Sequence, residues 1–401
     1  MNVYLLATLD TKGTEIGYVR DRLDALGVPT TVVDTGCLGE PAFAADVDRE
    51  QVFRSAGTSL EEMRRHNDRG LAVSNAAAGA SAIVARDHSE GKVAGVLAIG
   101  GGAGTSIGTT VMRSLPLGVP KVMVSTLASG DVRAFVGDKD VVMINSIVDI
   151  LGLNRVSRTV LAEAAHAVAG MVKFAVDTAA SEKPLVAATM FGVTTPCVER
   201  AREVLEEAGY EVLVFHCTGT GGQAMESLVR EGLIAGVLDI TTTELADELV
   251  GGVLSAGAGR LTAAAETGTP QVVSVGATDM VNFWALDTVP SQFKDRNLYK
   301  HNDNITLMRT TPDENARIGE DLGHKLSAAT GPAAVLLPLR GVSAIDREGQ
   351  PFDDPAARRS LYDAIRGNLG GTRLFELDHH INDPQFAEAA ATKLIELIDA
   401  K

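Results

Sequence analysis

Short runs of apolar residues alternate along the chain with stretches in which apolar residues recur every three or four positions. Residues 3–7 form such a run, and Ile16, Val19 and Leu23 then fall on one face of a helix. A short apolar run bounded by turn residues is typical of a strand buried on both faces. Repeated along the chain, this alternation predicts an α/β fold with parallel sheets and crossover helices.

The pattern occurs twice. Residues 3–7 align with residues 185–189, and the Ala-Gly-Val-Leu of residues 94–97 recurs at residues 235–238. We therefore predict two Rossmann-like parallel-sheet domains with internal similarity. The predicted domains are residues 1–180, with an insertion near residues 38–92, and residues 181–401. The tail of the second domain is predicted to hold a strand at 334–338, a helix at about 354–369, a strand at 373–377 and a last helix opened by Asn382, Asp383 and Pro384.

Composition narrows the function classes. The net charge of −16 argues against nucleic acid or an anionic membrane as the main partner. Three cysteines are too few and too scattered for a disulfide framework, and no run of 18 apolar residues predicts a membrane span. We expect a cytoplasmic protein that forms a homo-oligomer, most simply a dimer.

A glycine-rich loop, Gly-Gly-Gly-Ala-Gly-Thr-Ser at residues 100–106, follows one predicted strand and leads into a helix. Such a loop lets a phosphate approach the backbone N–H groups at the helix N-terminus. It lacks the Gly-Lys-Ser/Thr of a Walker A loop, and a tight turn with close helix packing explains the same glycines. We favour phosphate binding, by Gly101, Gly102, Gly104, Thr105 and Ser106.

The loop after the first strand carries Asp10, Thr11 and Lys12. The Lys12 ammonium is suited to a phosphate, and the Asp10 carboxylate is the one candidate for Mg²⁺, bound through water. A helix N-cap followed by an exposed lysine is an equal alternative. No firm metal site is predicted.

The second domain offers small and hydroxylated residues at the corresponding loops. We expect them to form the other wall of a nucleotide site or to bind a second substrate; they are Thr194, Thr195, Gly221, Gly222, Thr242 and Thr243. Three further side chains are candidates for catalysis, namely Glu226 as a base, His301, and Arg309 as an anion clamp. For Glu226 a solvated helix carboxylate, and for Arg309 a structural ion pair, are the alternatives.

The chain resembles a known family in several motifs. They include Thr-Leu-Asp-Thr-Lys at residues 8–12, the glycine loop, Asp-Ile-Thr-Thr-Thr-Glu-Leu at 239–245, Gly-Ala-Thr-Asp-Met-Val-Asn at 276–282 and His-Ile-Asn-Asp-Pro at 380–384. The family includes the ATP-binding N-terminal domain of the tomato mosaic virus resistance protein and uncharacterised bacterial homologues. The resemblance implies two Rossmann-like domains with a nucleotide in or near the cleft between them.

Our main hypothesis is therefore an ATP-binding protein, with Mg²⁺ as an accompanying ion. Whether ATP is hydrolysed, transferred or only bound stays open, and so does whether the protein is an enzyme. The alternative is an enzyme of small carboxylate or sugar-acid metabolism whose loops bind an anionic substrate. A third hypothesis is an interaction protein that uses a nucleotide only for stability.

Overall fold

The structure, a computed structural model, describes residues 1–175 and 183–400. The chain divides into two compact units, unit 1 (Met1–Ala180) and unit 2 (Ser181–Lys401). The predicted boundary between residues 180 and 181 lies outside the described residues. Along the described ranges, no helix combines the length and the apolar composition that crossing a membrane requires.

Unit 1 follows the predicted alternation of strands and helices. Its strands are β1 (Asn2–Ala7), β2 (Thr30–Asp34), β3 (Val93–Gly100), β4 (Lys121–Ser125) and β5 (Val142–Asn145). Its helices are α1 (Leu9–Ala25), α2 (Arg49–Ser55), α3 (Leu60–His66), α4 (Arg69–Ser89), α5 (Gly102–Arg113), α6 (Arg133–Val136) and α7 (Arg155–Lys173).

The five strands of unit 1 form a parallel sheet in the order β2-β1-β3-β4-β5. Both faces of the sheet are covered, which explains why its strands are apolar throughout. In β1, Val3 and Leu5 pack against α1 and α7, whereas Tyr4 and Leu6 pack in the cluster that holds α2, α4 and α5. Helices α2, α3 and α4 constitute most of the predicted insertion.

Unit 2 contains a second parallel sheet and a small antiparallel one. Its strands are β6 (Leu185–Met190), β7 (Glu211–His216), β8 (Gly236–Thr241), β9 (Gln271–Gly276), β10 (Met280–Phe283), β11 (Leu298–Lys300), β12 (Thr306–Arg309), β13 (Ala333–Pro338) and β14 (Arg373–Leu377). Its α-helices are α8 (Thr195–Glu207), α9 (Thr220–Arg230), α10 (Thr243–Val250), α11 (Ala263–Thr267), α12 (Pro312–Ser327), α13 (Pro355–Asn368) and α14 (Pro384–Asp399).

The large sheet of unit 2 has the order β7-β6-β8-β9-β13-β14, and its paired strands are parallel. Its first four strands repeat the arrangement of β2-β1-β3-β4 in unit 1. The fold class is thus confirmed: two parallel sheets flanked by helices, consistent with two Rossmann-like domains. Strands β10, β12 and β11 form the antiparallel sheet, which the sequence pattern did not predict.

Two helices of the insertion, α2 and α4, approach each other closely at Gly79. A Cβ placed on Gly79 of α4 would lie 1.9 Å from the carbonyl oxygen of Val52 in α2. Gly79→Ala is therefore expected to push the two helices apart and lower the free energy of unfolding by about 1–3 kcal/mol. Thermal unfolding followed by circular dichroism measures the change.

Gly170→Ala is the matched control, because Gly170 also lies within a helix but a Cβ there has open space. It is expected to be neutral or to stabilise by up to about 1 kcal/mol. Equal melting temperatures for the two variants would show that α2 and α4 are not tightly packed at Gly79.

Candidate functional site

A cavity of about 650 Å³ opens in unit 1 at the carboxyl end of its sheet. The connection after β1 leads to β2, on one side of β1. The connection after β3 leads to β4, on the opposite side of the sheet, so the loops that follow β1 and β3 diverge. Open α/β sheets bind their ligands in such crevices. Residues of both loops line the cavity, as do residues of α3, of α4 and of the segment that joins them.

The glycines of the loop after β3 fall into two groups. A Cβ on Gly100 would lie 2.6 Å from Cα of Gly104, and one on Gly104 would lie 3.1 Å from the Ile99 carbonyl oxygen. Packing within the turn therefore accounts for these two. Gly101 and Gly102 are different, because a Cβ there would meet nothing closer than 3.7 Å and both residues line the cavity.

Helix α5 begins at Gly102 with Gly101 as its N-cap, and neither a capping side chain nor an acidic residue occupies its first turn. The first N–H groups of a helix have no partner within the helix and carry partial positive charge. An anion in the cavity would find these groups accessible. Gly101, Gly102 and Gly104 all line the cavity, as the phosphate hypothesis requires.

The two hydroxyl-bearing residues of the predicted phosphate loop, Thr105 and Ser106, do not line the cavity. Thr105 is fully buried, and its hydroxyl contacts the Gly101 carbonyl oxygen at 2.8 Å and the Ser125 hydroxyl at 2.6 Å. Ser106 is half-buried and does not line the cavity. Thr105 thus fixes the turn from within.

Asp10, Thr11 and Lys12 line the cavity from the β1 side. Oδ2 of Asp10 accepts hydrogen bonds from the backbone N–H groups of Leu38 (2.8 Å) and Gly39 (3.2 Å). Lys12 donates from Nζ to the Ile150 carbonyl oxygen. The Asp10 carboxylate therefore holds the start of the insertion in place, and the ammonium of Lys12 is partly committed.

The insertion supplies the remaining wall, which the sequence did not identify as part of a site. Met63, Ala72 and Val73 give it an apolar surface, and Arg64 and Arg69 give it two cations. The only sequence signal was the charged helical stretch at residues 59–65 within the insertion. A cavity with an apolar wall and a few convergent polar groups is typical of a small-molecule site.

In unit 2 the backbone N–H groups at the start of a loop-opened helix are occupied by a carboxylate of the chain itself, that of Glu244. The N–H groups of Gly219 and Gly222, at the start of α9, donate to Oε1 of Glu244 at 2.8 and 3.1 Å. A Cβ on Gly222 would lie 2.1 Å from Glu244 Oε2, and one on Gly221 would lie 1.9 Å from the His216 carbonyl oxygen. Gly221 and Gly222 are thus required by packing around an internal carboxylate.

Glu244 belongs to a buried charge network centred on Arg260. The guanidinium, which is 0% exposed, donates to Glu244 Oε2 at 2.6 Å and to both carboxylate oxygens of Asp239 at 2.6 and 2.7 Å. Burial disfavours the charged form, but the two carboxylates outweigh it and raise the pKa of Arg260 well above its usual value. The network carries charge without an opening to a ligand.

The threonines predicted to face a ligand in unit 2 are mostly engaged internally. Thr194, Thr242 and Thr243 are fully buried. The Thr194 hydroxyl contacts that of Thr241 at 2.8 Å, and the Thr242 hydroxyl donates to the Ser274 carbonyl oxygen at 3.0 Å. Thr195 is half-buried, and its hydroxyl donates to the Phe191 carbonyl oxygen at 3.3 Å.

No contact within the described ranges brings the three catalytic candidates together. Glu226 is buried and accepts hydrogen bonds from the backbone N–H groups of Leu261 and Ala263, so that it caps α11. Arg309 is buried and donates to the Phe352 carbonyl oxygen and to Asp346. His301 is exposed in the turn between β11 and β12.

Two aspartates of unit 2 are buried without a cationic group that compensates them fully. Burial raises the pKa of Asp247 to about 7. Burial, together with the neighbouring Asp346 carboxylate, raises the pKa of Asp279 to about 7. Their neighbours are Asn282 and Ser343, respectively. In the part of the chain that the structure describes, no cluster of three or more His, Cys, Asp or Glu side chains is arranged to hold a metal ion.

Comparison with known proteins places the chain in a family. Residues 1–177 match the N-terminal domain, and residues 183–398 the C-terminal domain, of the uncharacterised protein family UPF0261. A UPF0261 protein of Clostridium tetani is 49% identical over 399 residues and one of Rhizobium meliloti 50% over 394, covering 99% and 97% of both chains. The tomato (Solanum lycopersicum) ToMV resistance protein Tm-1(GCR237) is 40% identical over 98% of this chain and 55% of its own length. The chain therefore belongs to the UPF0261 family, whose relatives extend from bacteria to this plant protein.

Proposed function

We propose that unit 1 binds ATP in the cavity at the carboxyl ends of β1 and β3. The observation that carries this proposal is the pair Gly101 and Gly102: both line the cavity at the start of α5, and packing gives neither a reason to be glycine. Glycine at such positions lets a phosphate reach the backbone N–H groups. The resemblance drawn from the sequence motifs names ATP as the nucleotide.

The size and chemistry of the cavity support a nucleotide. Its volume of about 650 Å³ lies within the range of small-molecule sites. The glycine loop and Lys12 offer donors to phosphate, and the surface of Met63, Ala72 and Val73 is apolar enough to pack against a base. A ligand that combines phosphates with an aromatic base matches these groups.

Mg²⁺ would be held mainly by the nucleotide, since Mg²⁺ accompanies phosphates with one or two protein carboxylates and several waters. The Asp10 carboxylate is already engaged by Leu38 and Gly39, which fits it poorly for direct ligation. Asp149 also lines the cavity and is exposed, and only its Oδ1 is engaged, by the Ile150 N–H. Asp149 is the better candidate for contact with a bound ion.

The alternative, an enzyme of small carboxylate or sugar-acid metabolism, has less support. It assigned the chemistry to Glu226, His301 and Arg309, two of which serve the internal structure of unit 2 and one of which is exposed. It used the same loops as the ATP hypothesis for an anionic substrate, and of these the loop at the start of α9 in unit 2 encloses Glu244.

Gly102→Val tests the proposal. A valine Cβ has room in the folded chain, its nearest neighbour being Leu127 Cδ1 at 4.0 Å, but its side chain would enter the cavity where a phosphate is expected. Mg-ATP at 100 times its Kd should stabilise the wild-type chain by about 2.7 kcal/mol, and this gain should disappear in the variant. Thermal shifts with and without Mg-ATP measure it.

Gly192→Val is the control, because Gly192 is exposed in the loop that follows β6 of unit 2 and a Cβ there also has open space. It should melt like the wild-type chain and keep the full ATP shift. The proposal fails if Mg-ATP does not stabilise the wild-type chain, or if Gly102→Val keeps the shift. A shift with a sugar acid in place of ATP would favour the alternative.

A further inference from the structure

The cavity wall carries cationic side chains in addition to the N–H groups of the glycine loop. Three cationic side chains line it, Lys12, Arg64 and Arg69. Among the ion pairs of the described residues, none involves any of these three. A guanidinium presents its N–H donors in a planar fork that fits phosphate oxygens, so arginines in a cavity are suited to bind a phosphate chain.

The acidic side chains of the same cavity are engaged by backbone groups and, among the described residues, form no ion pair with these cations. Asp10, Asp68 and Asp149 each accept a hydrogen bond from a backbone N–H group, of Leu38, Leu71 and Ile150 respectively. Asp68 caps the N-terminus of α4 in this way. The carboxylates thus serve the loops and helix ends that carry them.

Arg64 and Arg69 differ in how they are held. Arg64, in the last turn of α3, donates from Nε to the Cys37 carbonyl oxygen at 2.8 Å and from Nη2 to that of Leu38 at 3.0 Å. These bonds to neutral carbonyls fix its guanidinium without cancelling its charge. Arg69, the first residue of α4, is exposed and has no side-chain partner in the described part of the chain.

The two arginines line the same cavity as the start of the glycine-loop helix. Ala76 and Ala80 of α4 pack in one apolar cluster with Ile107 and Val111 of α5. Ala72, one turn beyond Arg69, lines the cavity together with Gly101 to Gly104. An anionic chain bound at the N-terminus of α5 would therefore share one cavity with the arginines of the insertion.

We propose that Arg64 and Arg69 bind the outer phosphates of the ligand, so that the site selects nucleoside triphosphates and diphosphates over monophosphates. This inference rests on the proposed function, since it assigns the ligand of the same cavity. The α3–α4 insertion is then the element that distinguishes phosphate number. The Cys37 and Leu38 carbonyl oxygens hold Arg64 in place, whereas no side-chain contact among the described residues holds Arg69.

Isothermal titration of the full chain with ATP, ADP and AMP tests the inference. Because a charge-assisted hydrogen bond contributes about 1.5–3 kcal/mol, Arg69→Gln should weaken ATP binding about 10- to 100-fold and leave AMP binding nearly unchanged. Wild-type protein should bind ATP more tightly than AMP by a similar factor or more. Inorganic tripolyphosphate should compete with ATP in the wild-type chain and compete poorly in Arg69→Gln.

Arg65→Gln is the matched control, because Arg65 is the neighbour of Arg64 on α3 but is 72% exposed and pairs with Glu61. It should bind ATP like the wild-type chain. Arg64→Gln should also weaken ATP, and its melting temperature without ligand shows whether loss of the Cys37 and Leu38 contacts has disturbed the fold.

The outcomes separate this inference from the function on which it rests. Equal affinities of wild-type protein and Arg69→Gln for ATP, or equal affinities of wild-type protein for ATP and AMP, would overturn the inference while leaving nucleotide binding intact. Failure of ATP to bind the wild-type chain at all would overturn both.

Discussion

Arg260→Met is expected to destabilise unit 2 by about 3–5 kcal/mol, because it leaves buried carboxylates without their cation. Methionine fills a similar volume, but Glu244 and Asp239 would then face each other in the interior without compensation. Both are 0% exposed, so neither can turn toward water to recover the loss. The charged network is costly to break whatever its net contribution to stability.

Trp284 makes this effect measurable, since it is the only tryptophan in the chain and lies in unit 2. Its fluorescence during urea unfolding should show a clear decrease in the midpoint for Arg260→Met. Arg230→Met is the control, because Arg230 is 43% exposed and pairs with Glu266 at the surface. Surface pairs contribute about 0–1 kcal/mol, so the control should unfold almost like the wild-type chain.

A triple variant distinguishes lost charge balance from lost packing. Arg260→Met combined with Glu244→Gln and Asp239→Asn removes the orphaned charges but keeps the acceptors for the Gly219 and Thr189 donors. It should recover much of the stability that Arg260→Met loses. If the triple variant is no more stable than the single one, the cost lies in packing and not in charge.

The sequence predicted those parts of the fold that depend on local periodicity. The strands at 334–338 and 373–377 and the helix that begins at Pro384 are confirmed as β13, β14 and α14. Helix α14 begins with proline at its first turn, a local signal that needs no tertiary information. The repeated strand order of the two sheets follows from the same kind of signal.

The candidate site could be predicted only where the sequence marks it locally. Gly101 and Gly102 are visible as a glycine-rich turn, whereas Gly221 and Gly222 look equally suited to an anion and in fact enclose Glu244. The difference is a contact between residues more than 20 positions apart, which no local pattern encodes. Arg69 was missed for the same reason, since only the folded insertion brings it to the cavity.

Asp247 should make the stability of unit 2 fall as the pH rises. In the folded chain burial raises its pKa to about 7, whereas an unfolded aspartate titrates near 3.9, so the folded state keeps a proton that the unfolded state has lost. The stabilisation is complete below pH 4 and is lost as the pH rises through about 7. The difference of about three pKa units corresponds to at most about 4 kcal/mol.

The neighbourhood of Asp247 is arranged to accept a neutral side chain. Its Oδ1 accepts from the backbone N–H of Asn282 at 2.6 Å, and its Oδ2 contacts Asn282 Nδ2 at 2.7 Å. Oδ1 of Asn282 has no hydrogen-bond partner among the described residues. A half-turn of the Asn282 amide would bring this oxygen to a protonated Asp247, and equally to the amide of an asparagine at that position.

Asp247→Asn should therefore stabilise unit 2 at pH 8, by up to about 4 kcal/mol. At pH 5 the gain should fall to about 1.5 kcal/mol, because folded Asp247 is then neutral and only the unfolded chain carries the charged aspartate. Urea unfolding at the two pH values, followed by Trp284 fluorescence, measures the difference. Asp303→Asn is the control, because Asp303 is 92% exposed and its replacement should change stability little at either pH.

An Asp247→Asn variant that is less stable than the wild-type chain at pH 8 would mean that the charged carboxylate is needed there. The hydrogen bonds from Asn282 would then outweigh the cost of burial, and the dependence of stability on pH would have to arise mainly from Asp279, whose pKa is also raised to about 7.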